Sequence, residues 1–226
     1  MTNSPRAAGT QTLARGLRAL QLVSTAHDGL NIQEVAGELD VHRSIASRLL
    51  QTLADFHFVT RGYDGRYRTG TALAGLAMGI HATLRATAAP VMQELAADLG
   101  ATVSLLISEG GHAVALAVVE PPGVSYLLSF KAGSRHPLGR GSAGVALLAA
   151  QSPSPGEAAN VTEAREQGFA ATFGEVEPGA YGVAVPIAIQ GLPPACLNLI
   201  TYRPEIADRA APALLAAAAR IHSELA

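Results

Sequence analysis

Leu13, Leu17, Leu20 and Val23 recur at helical spacing and the run ends before Asp28-Gly29, so an amphipathic helix is predicted first. Asn31 stands three residues before Glu34, the arrangement of a capping box. Behind it Ile32, Val35, Ala36 and Leu39, at i, i+3, i+4 and i+7, predict a short second helix. Asp40-Val41-His42 breaks that helix, and a third is predicted from about Arg43 with Ile45, Leu49, Leu53 and Phe56 as its apolar face. Phe58–Arg61 and Arg66–Thr69 are β-prone runs flanking Gly62-Tyr63-Asp64-Gly65. Asp-Gly between such runs predicts a hairpin closed by a type I′ turn, which needs positive φ at both central residues. Three helices followed at once by a hairpin form the layout of a winged helix-turn-helix.

From Thr71 to about Arg85 the chain is rich in Ala, Leu, Gly and Met and reads as a connecting helix; Pro90 opens another that stops at Gly100. The pattern then changes to strands at Thr102–Ile107, His112–Val119 and Ser125–Phe130, separated by Glu109-Gly-Gly and Pro121-Pro-Gly. Ser142–Ala150 and Glu157–Gln167 read as helices around a Pro/Ser loop. Strands follow at about Gly168–Phe173, Gly182–Ile189 and Ala195–Tyr202, and an Ala-rich helix runs from Pro204 to the end. Six short strands with flanking helices, without regular βαβ alternation, predict an antiparallel α+β sensor-type domain. The expected division is 1–70 for the winged domain, 71–87 for the linker helix and 88–226 for the second domain.

The length of 226 residues accommodates two ordinary domains, and 49% hydrophobic against 15% charged residues excludes wholesale disorder. The net charge of −2 hides an asymmetry. Residues 1–70 carry eight arginines against six acids, whereas the remainder carries eight basic residues against twelve acids. A polyanion partner is therefore expected at the first domain alone. One cysteine, Cys196, excludes a disulfide framework and a multi-cysteine zinc site. The first ten residues lack the apolar run of a signal peptide, and no apolar run reaches the roughly 18–20 residues that span a bilayer. A soluble, cytoplasmic protein is expected.

The third helix has a diameter that fits the DNA major groove, where side chains on its exposed face read base edges. That face carries Arg43, Ser44, Ser47, Arg48 and Gln51, opposite the apolar stripe. Arg can bond guanine bidentately, Gln can pair with adenine, and Ser can serve base or phosphate. Arg61, Arg66 and Arg68 on the hairpin suit phosphates or a narrow minor groove. Between residues 41 and 70 five arginines face only Asp55 and Asp64. This modest excess implies two copies binding one duplex together.

Several segments resemble the IclR (isocitrate lyase regulator) family of bacterial transcription factors. In the first domain they are Gln11–Leu20 (QTLARGLRAL), Val35–Leu39 (VAGEL), Ser44–Leu53 (SIASRLLQTL) and Asp64–Gly70 (DGRYRTG). The likeness continues through Pro90–Leu95 (PVMQEL), Pro137–Leu148 (PLGRGSAGVALL), Glu177–Gly179 and Tyr181–Pro186 (YGVAVP). The resemblance implies a homodimeric or homotetrameric regulator that binds a double-stranded DNA operator. It also implies a GAF-like effector-binding domain joined to the winged domain by a helix, with a small-molecule effector and no cofactor. This chain departs from the family pattern where Gly139 replaces a histidine and Val145 a lysine. It departs again where Asn198 and Ile200 replace the alternating serines that hold a small keto acid in some members, and where Pro186 replaces a cysteine. Those departures speak against a keto-acid effector.

Strand periodicity puts Asn198 and Ile200 on one face and Leu197 and Leu199 on the other. A lone Asn among apolar residues either bonds a neighbouring loop or faces a ligand cavity. Arg140 and Ser142 precede a helix whose amino terminus could receive an anionic group, or they are a surface residue and a plain cap. Phe130, Leu138, Gly144, Pro186 and Cys196 are apolar candidates for the cavity wall. The seven histidines form no metalloprotease pair, and no nucleophile elbow or phosphate-binding Gly/Lys loop is present. The alternative to a regulator is a small-molecule-binding or enzymatic domain whose helical amino terminus only dimerises.

Overall fold

The computed structural model describes residues 10–121, 123, 130–187 and 191–225. The strand expected at Ser125–Phe130 lies outside the described residues except for Phe130, and the end of the Gly182–Ile189 strand does too. The chain divides into two compact units between Ile80 and His81.

The first unit holds α1 (Gln11–Thr25), α2 (Ile32–Glu38), α3 (Arg43–Asp55), the hairpin β1 (Val59–Arg61) and β2 (Tyr67–Thr69), and α4 (Ala72–Gly79). Its core joins Ala19 and Val23 of α1, Val35 and Ala36 of α2, Ala46 and Leu50 of α3, and Val59 and Tyr67 of the hairpin. The capping box forms: Asn31 Oδ1 accepts from the Gln33 and Glu34 amides, and Glu34 Oε2 accepts from the Asn31 amide at 2.8 Å. Asn31 thereby satisfies donors that the helix itself leaves unpaired.

Three expectations for this unit are corrected. The leucine stripe of α1 is buried only toward its end; Leu13 and Leu17 are exposed. On α3 the buried positions are Ala46, Leu49 and Leu50, while Ile45 and Phe56 are exposed. The core is reached by small Ala46, so the stripe lies one residue later than the bulkiest side chains indicate. The hairpin turn is not type I′. Gly62 pairs with Arg66, the Gly65 amide donates to the Gly62 carbonyl at 3.0 Å, and Gly65, but not Asp64, has positive φ, +76°. This is the three-residue loop in which one left-handed glycine absorbs the bulge.

The second unit comprises α5 (Ala82–Leu99), β3 (Thr102–Glu109), β4 (His112–Val119), β5 (Arg135–Pro137), α6 (Gly141–Ala149) and α7 (Ala159–Gln167). It continues with β6 (Ala170–Phe173), β7 (Tyr181–Ile187), β8 (Ala195–Thr201) and α8 (Pro204–Leu225). The six strands form one antiparallel sheet in the order β5-β4-β3-β8-β7-β6. One face packs on α5 and α8 through residues such as Val103, Leu105, Leu197 and Leu199. The other face packs on α6 and α7 through Leu106, Ala184, Cys196 and Ile200. Adjacent residues of β8 thus enter opposite cores, as its period-2 pattern requires.

The single connecting helix expected from Thr71 is instead two helices. α4 ends at Gly79, His81 takes a left-handed φ of +44°, and α5 runs unbroken through Pro90. Proline forfeits one helical hydrogen bond. The buried stripe Leu84, Ala88, Val91, Met92, Leu95 and Ala96 continues past it and outweighs that loss. β5, with its charged and proline residues, was not foreseen.

Candidate nucleic-acid interface and ligand cavity

Helix α3 is seated by its buried Ala46, Leu49 and Leu50, which leaves Arg43, Ser44, Arg48 and Gln51 exposed on the opposite side and Ser47 half-buried. The His42 ring caps the helix, its Nδ1 accepting from the Ser44 amide at 3.3 Å and lying 2.8 Å from Ser44 Oγ. Gln51 Nε2 donates to Asp55 Oδ1 at 2.8 Å. Among the described residues neither Arg43 nor Arg48 enters an ion pair. Exposed Ile45, expected in the core, sits beside them and offers the apolar contact that suits a thymine methyl.

The wing arginines are differently placed. Arg66 turns inward: Nε and Nη2 donate to the Gly29 carbonyl at 3.1 and 3.0 Å, and Nη2 also meets Glu34 Oε2 at 2.9 Å. It therefore ties the hairpin to the capping box of α2 rather than projecting toward a phosphate. The Asn31 amide, and after it Arg66, hold the Glu34 carboxyl below its ordinary range. Arg68 grips Asp64 with two hydrogen bonds of 3.1 and 2.6 Å, and this pairing, with the Arg66 amide, holds the Asp64 carboxyl at about 2. Arg61 lies over the Tyr67 ring, 5.9 Å from its centroid, and is exposed. Of the three, Arg61 alone has no carboxylate partner among the described residues.

In the second unit a cavity of about 250 Å³ opens where α6 begins, beside β7, β8 and the 174–180 loop. Of the expected lining residues, Phe130, Ser142, Asn198 and Ile200 are there. The Asn198 amide is satisfied from inside. Its Oδ1 accepts from Ser142 Oγ at 2.8 Å and its Nδ2 donates to Ser104 Oγ at 3.4 Å, so it both bonds its neighbours and faces the cavity.

The other expected residues do not line it. Cys196 is buried between the sheet and α6, and burial pushes its thiol up. Pro186 pairs with Cys196 across the β7–β8 ladder. Leu138 packs against the same core. Gly144 is pressed on the preceding turn, where a Cβ would meet Gly139 N at 3.0 Å and Pro137 O at 3.1 Å. Arg140 is exposed, its Nε donating to the Glu175 carbonyl at 2.7 Å.

Two features of the cavity were missed. One is His136, on the unforeseen β5. It is 8% exposed, and neither ring nitrogen has a hydrogen-bond partner among the described residues. Burial first, then Arg140 and His112, lowers its pKa. The ring is therefore kept neutral, with one nitrogen able to donate and the other to accept. The second is the filling of the α6 amino terminus. The Gly141 amide donates to Glu175 Oε2 at 2.7 Å, and the Ser142 amide donates to Thr172 Oγ1 at 2.9 Å. Among the described residues no group of three or more His, Cys, Asp or Glu gathers as a metal would need.

Two family models match the chain. One is described as the IclR helix-turn-helix domain, over residues 12–62, and the other as the bacterial transcriptional regulator IclR C-terminal, over residues 80–161. The chain is 32% identical over 149 residues to the HTH-type transcriptional regulator Rv1719 of Mycobacterium tuberculosis, a match covering 66% of this chain and 57% of that protein. It is 29% identical over 143 residues to the HTH-type transcriptional repressor AllR of Escherichia coli, covering 62% and 52%. The chain spans about half the length of the curated relatives it matches. Its fold is that of an IclR transcriptional regulator from Alicyclobacillus acidocaldarius, with a TM-score of 0.78, 24% identity and coverage of 96% and 100%. An IclR homolog of Microbacterium hydrocarbonoxydans complexed with 4-hydroxybenzoate also shares it, with a TM-score of 0.78, 22% identity and coverage of 95% and 98%.

Proposed function

The chain belongs to the IclR family of bacterial transcriptional regulators, and on that premise we propose that it is a ligand-responsive regulator that binds operator DNA sequence-specifically. The observation that carries this reading is the exposed row on α3, where Arg43 and Arg48 enter no ion pair among the described residues. Arg48, with Ser44 and Gln51 one turn away on either side, is the residue proposed to read a base; Arg43, Ser47 and Arg61 are proposed to hold phosphates. Arg66 and Arg68 are proposed to serve the shape of the wing that presents Arg61.

The exposed apolar residues support self-association. Leu13 and Leu17 of α1, and Leu76, Met78 and Ile80 in and just after α4, are exposed in the first unit, and α4 buries no residue at all. A homodimer or homotetramer would cover them and would set two α3 helices on one near-palindromic operator. No helix among the described residues is long and apolar enough to cross a membrane, and the proposed place of action is the cytoplasm, where the DNA is.

The cavity of the second unit is proposed as the effector site, because it combines apolar walls with a buried His136 that has no hydrogen-bond partner among the described residues. A structural neighbour is an IclR homolog complexed with 4-hydroxybenzoate, which supports a small-molecule ligand for this chain. The effector acts only if it binds the DNA-competent and incompetent arrangements unequally.

The test is fluorescence anisotropy of the full chain on labelled duplexes tiled from the DNA flanking its own gene. One duplex is expected to bind well above the rest, and Arg48→Ala to weaken it by about 1–3 kcal/mol while leaving non-specific binding little changed. Equal binding to every duplex at two salt concentrations would overturn the reading.

A further inference from the structure

A helix amino terminus beside a cavity normally offers unpaired amides to an anion. Here the two leading amides of α6 are already taken, Gly141 N–H by the Glu175 carboxylate at 2.7 Å and Ser142 N–H by Thr172 Oγ1 at 2.9 Å. The loop that carries Glu175 is fastened by Arg140, whose Nε donates to the Glu175 carbonyl at 2.7 Å. Glu177 is a second carboxylate in the same wall, and the cationic Arg135 there is paired with Glu109 at 2.9 Å. A carboxylate claiming the Gly141 amide would have to displace Glu175 and then remain beside both glutamates. Like charges at such a site disfavour one another.

The second observation is independent of the helix. His136 is more than nine-tenths buried, its ring nitrogens have no hydrogen-bond partner among the described residues, and its Nε2 lies 4.0 Å from where a side chain on Gly141 would begin. A buried polar group without a partner costs free energy that a bound hydrogen-bonding molecule recovers. Phe130, Ile200 and Val176 provide apolar wall around that point.

Resting on the effector-cavity reading above, we infer that the ligand is uncharged at the end it turns toward α6, with an O–H or N–H group bonded to His136, and that Glu175 is the residue that rejects carboxylates. Glu175 is a specificity determinant built from the chain itself: it fills the place an acidic ligand would claim. An amide or alcohol leaves the Glu175–Gly141 bond intact and still satisfies His136.

The experiment uses matched pairs of one shape and two charges, benzoate with benzamide, cyclohexanecarboxylate with its primary amide, and pentanoate with pentanamide. Each is titrated into the full chain by calorimetry and by the NMR signals of the His136 ring. In the native protein the amide of at least one pair is expected to bind about tenfold tighter than its acid and to shift the His136 signals, one charge-assisted hydrogen bond being worth about that factor. Glu175→Gln, an exposed loop substitution, is expected to bring the acid within about twofold of the amide. The inference is overturned if the native protein takes the acids as tightly as the amides or more so, or if Glu175→Gln leaves the ratio unchanged. If no member of any pair perturbs His136, the effector-cavity reading fails with it, an outcome distinct from tight binding of acids.

Discussion

Replacing Arg66 with alanine separates a wing that is held by its arginine from a wing that uses that arginine on DNA. In the structure the guanidinium bridges three places: the Asp28 carbonyl at 3.2 Å, the Gly29 carbonyl at 3.0–3.1 Å and the Glu34 carboxylate at 2.9–3.0 Å. Hydrogen bonds to a charged donor contribute about 1.5–3 kcal/mol when well shielded, but exposed ion pairs contribute 0–1 kcal/mol. The Arg66 side chain is 31% exposed, so water will replace part of what is lost and the expected cost is about 1–2 kcal/mol. The loss should be local, because the same segment is joined by the Leu30–Tyr67 bridge, whose two amides bond at 3.0 and 2.7 Å. Native-state hydrogen exchange reads it directly: protection of the Leu30 and Tyr67 amides should fall by roughly 5–30-fold, with the β3 and β8 amides unchanged. Operator affinity should drop modestly with no change in its dependence on salt, since no phosphate contact has been removed. Unchanged protection together with a salt slope shallower by about one ion would refute the reasoning and return Arg66 to the DNA backbone.

Three further outcomes follow from the geometry. Gly70→Ala would place a methyl 2.1 Å from the His57 carbonyl oxygen, so the wing must shift; a loss of about 1–3 kcal/mol in thermal unfolding of the first unit is expected. Ser142→Ala strands the buried Asn198 Oδ1 and should cost about 1–3 kcal/mol in urea unfolding, whereas Ser142→Ala with Asn198→Leu should recover much of it; additive losses would contradict the pairing. His136 is held neutral below its ordinary pKa of 6.5, so as pH falls through that value the unfolded chain takes up a proton that the folded chain refuses. Stability of the second unit should therefore decline from about pH 6.5 downward until the folded pKa is reached, and His136→Phe should flatten that decline; parallel pH profiles for the two proteins would sink the assignment.

What the residue pattern disclosed and what it withheld divide along a physical line. Local chemistry was legible: the Asn31–Glu34 capping box forms as spaced, and β8 sends Leu197 and Leu199 to one core and Cys196 and Ile200 to the other. Faces were harder to place where an exposed leucine or isoleucine outranks a buried alanine in any hydrophobic count. Leu13, Leu17 and Ile45 were read inward for that reason, although surfaces that meet a second copy or a base carry the same residues as cores. The linker misled through Pro90. Its cost as an interior residue is certain, but the stripe on both sides of it is a tertiary fact.

The cavity shows the limit most sharply, because its parts are held together only by contacts between distant segments. Phe130, His136, Ser142 and Asn198 converge there from a loop, β5, α6 and β8, and only β8 announces its faces by periodicity. That an α6 amino terminus draws an anion follows from helix geometry alone. Which anion it draws does not. Glu175 lies 34 residues beyond Gly141, on a loop whose path is fixed by Arg140 and by the β6–β7 pairing from Ala170↔Ala184 to Phe173↔Tyr181. The same Arg140 that the sequence places beside a helix end able to receive an anion instead secures the loop that supplies the protein's own acid. The sign of the preferred ligand is thus decided by tertiary structure: a residue suited to attract one class of molecule is used to install the group that excludes it.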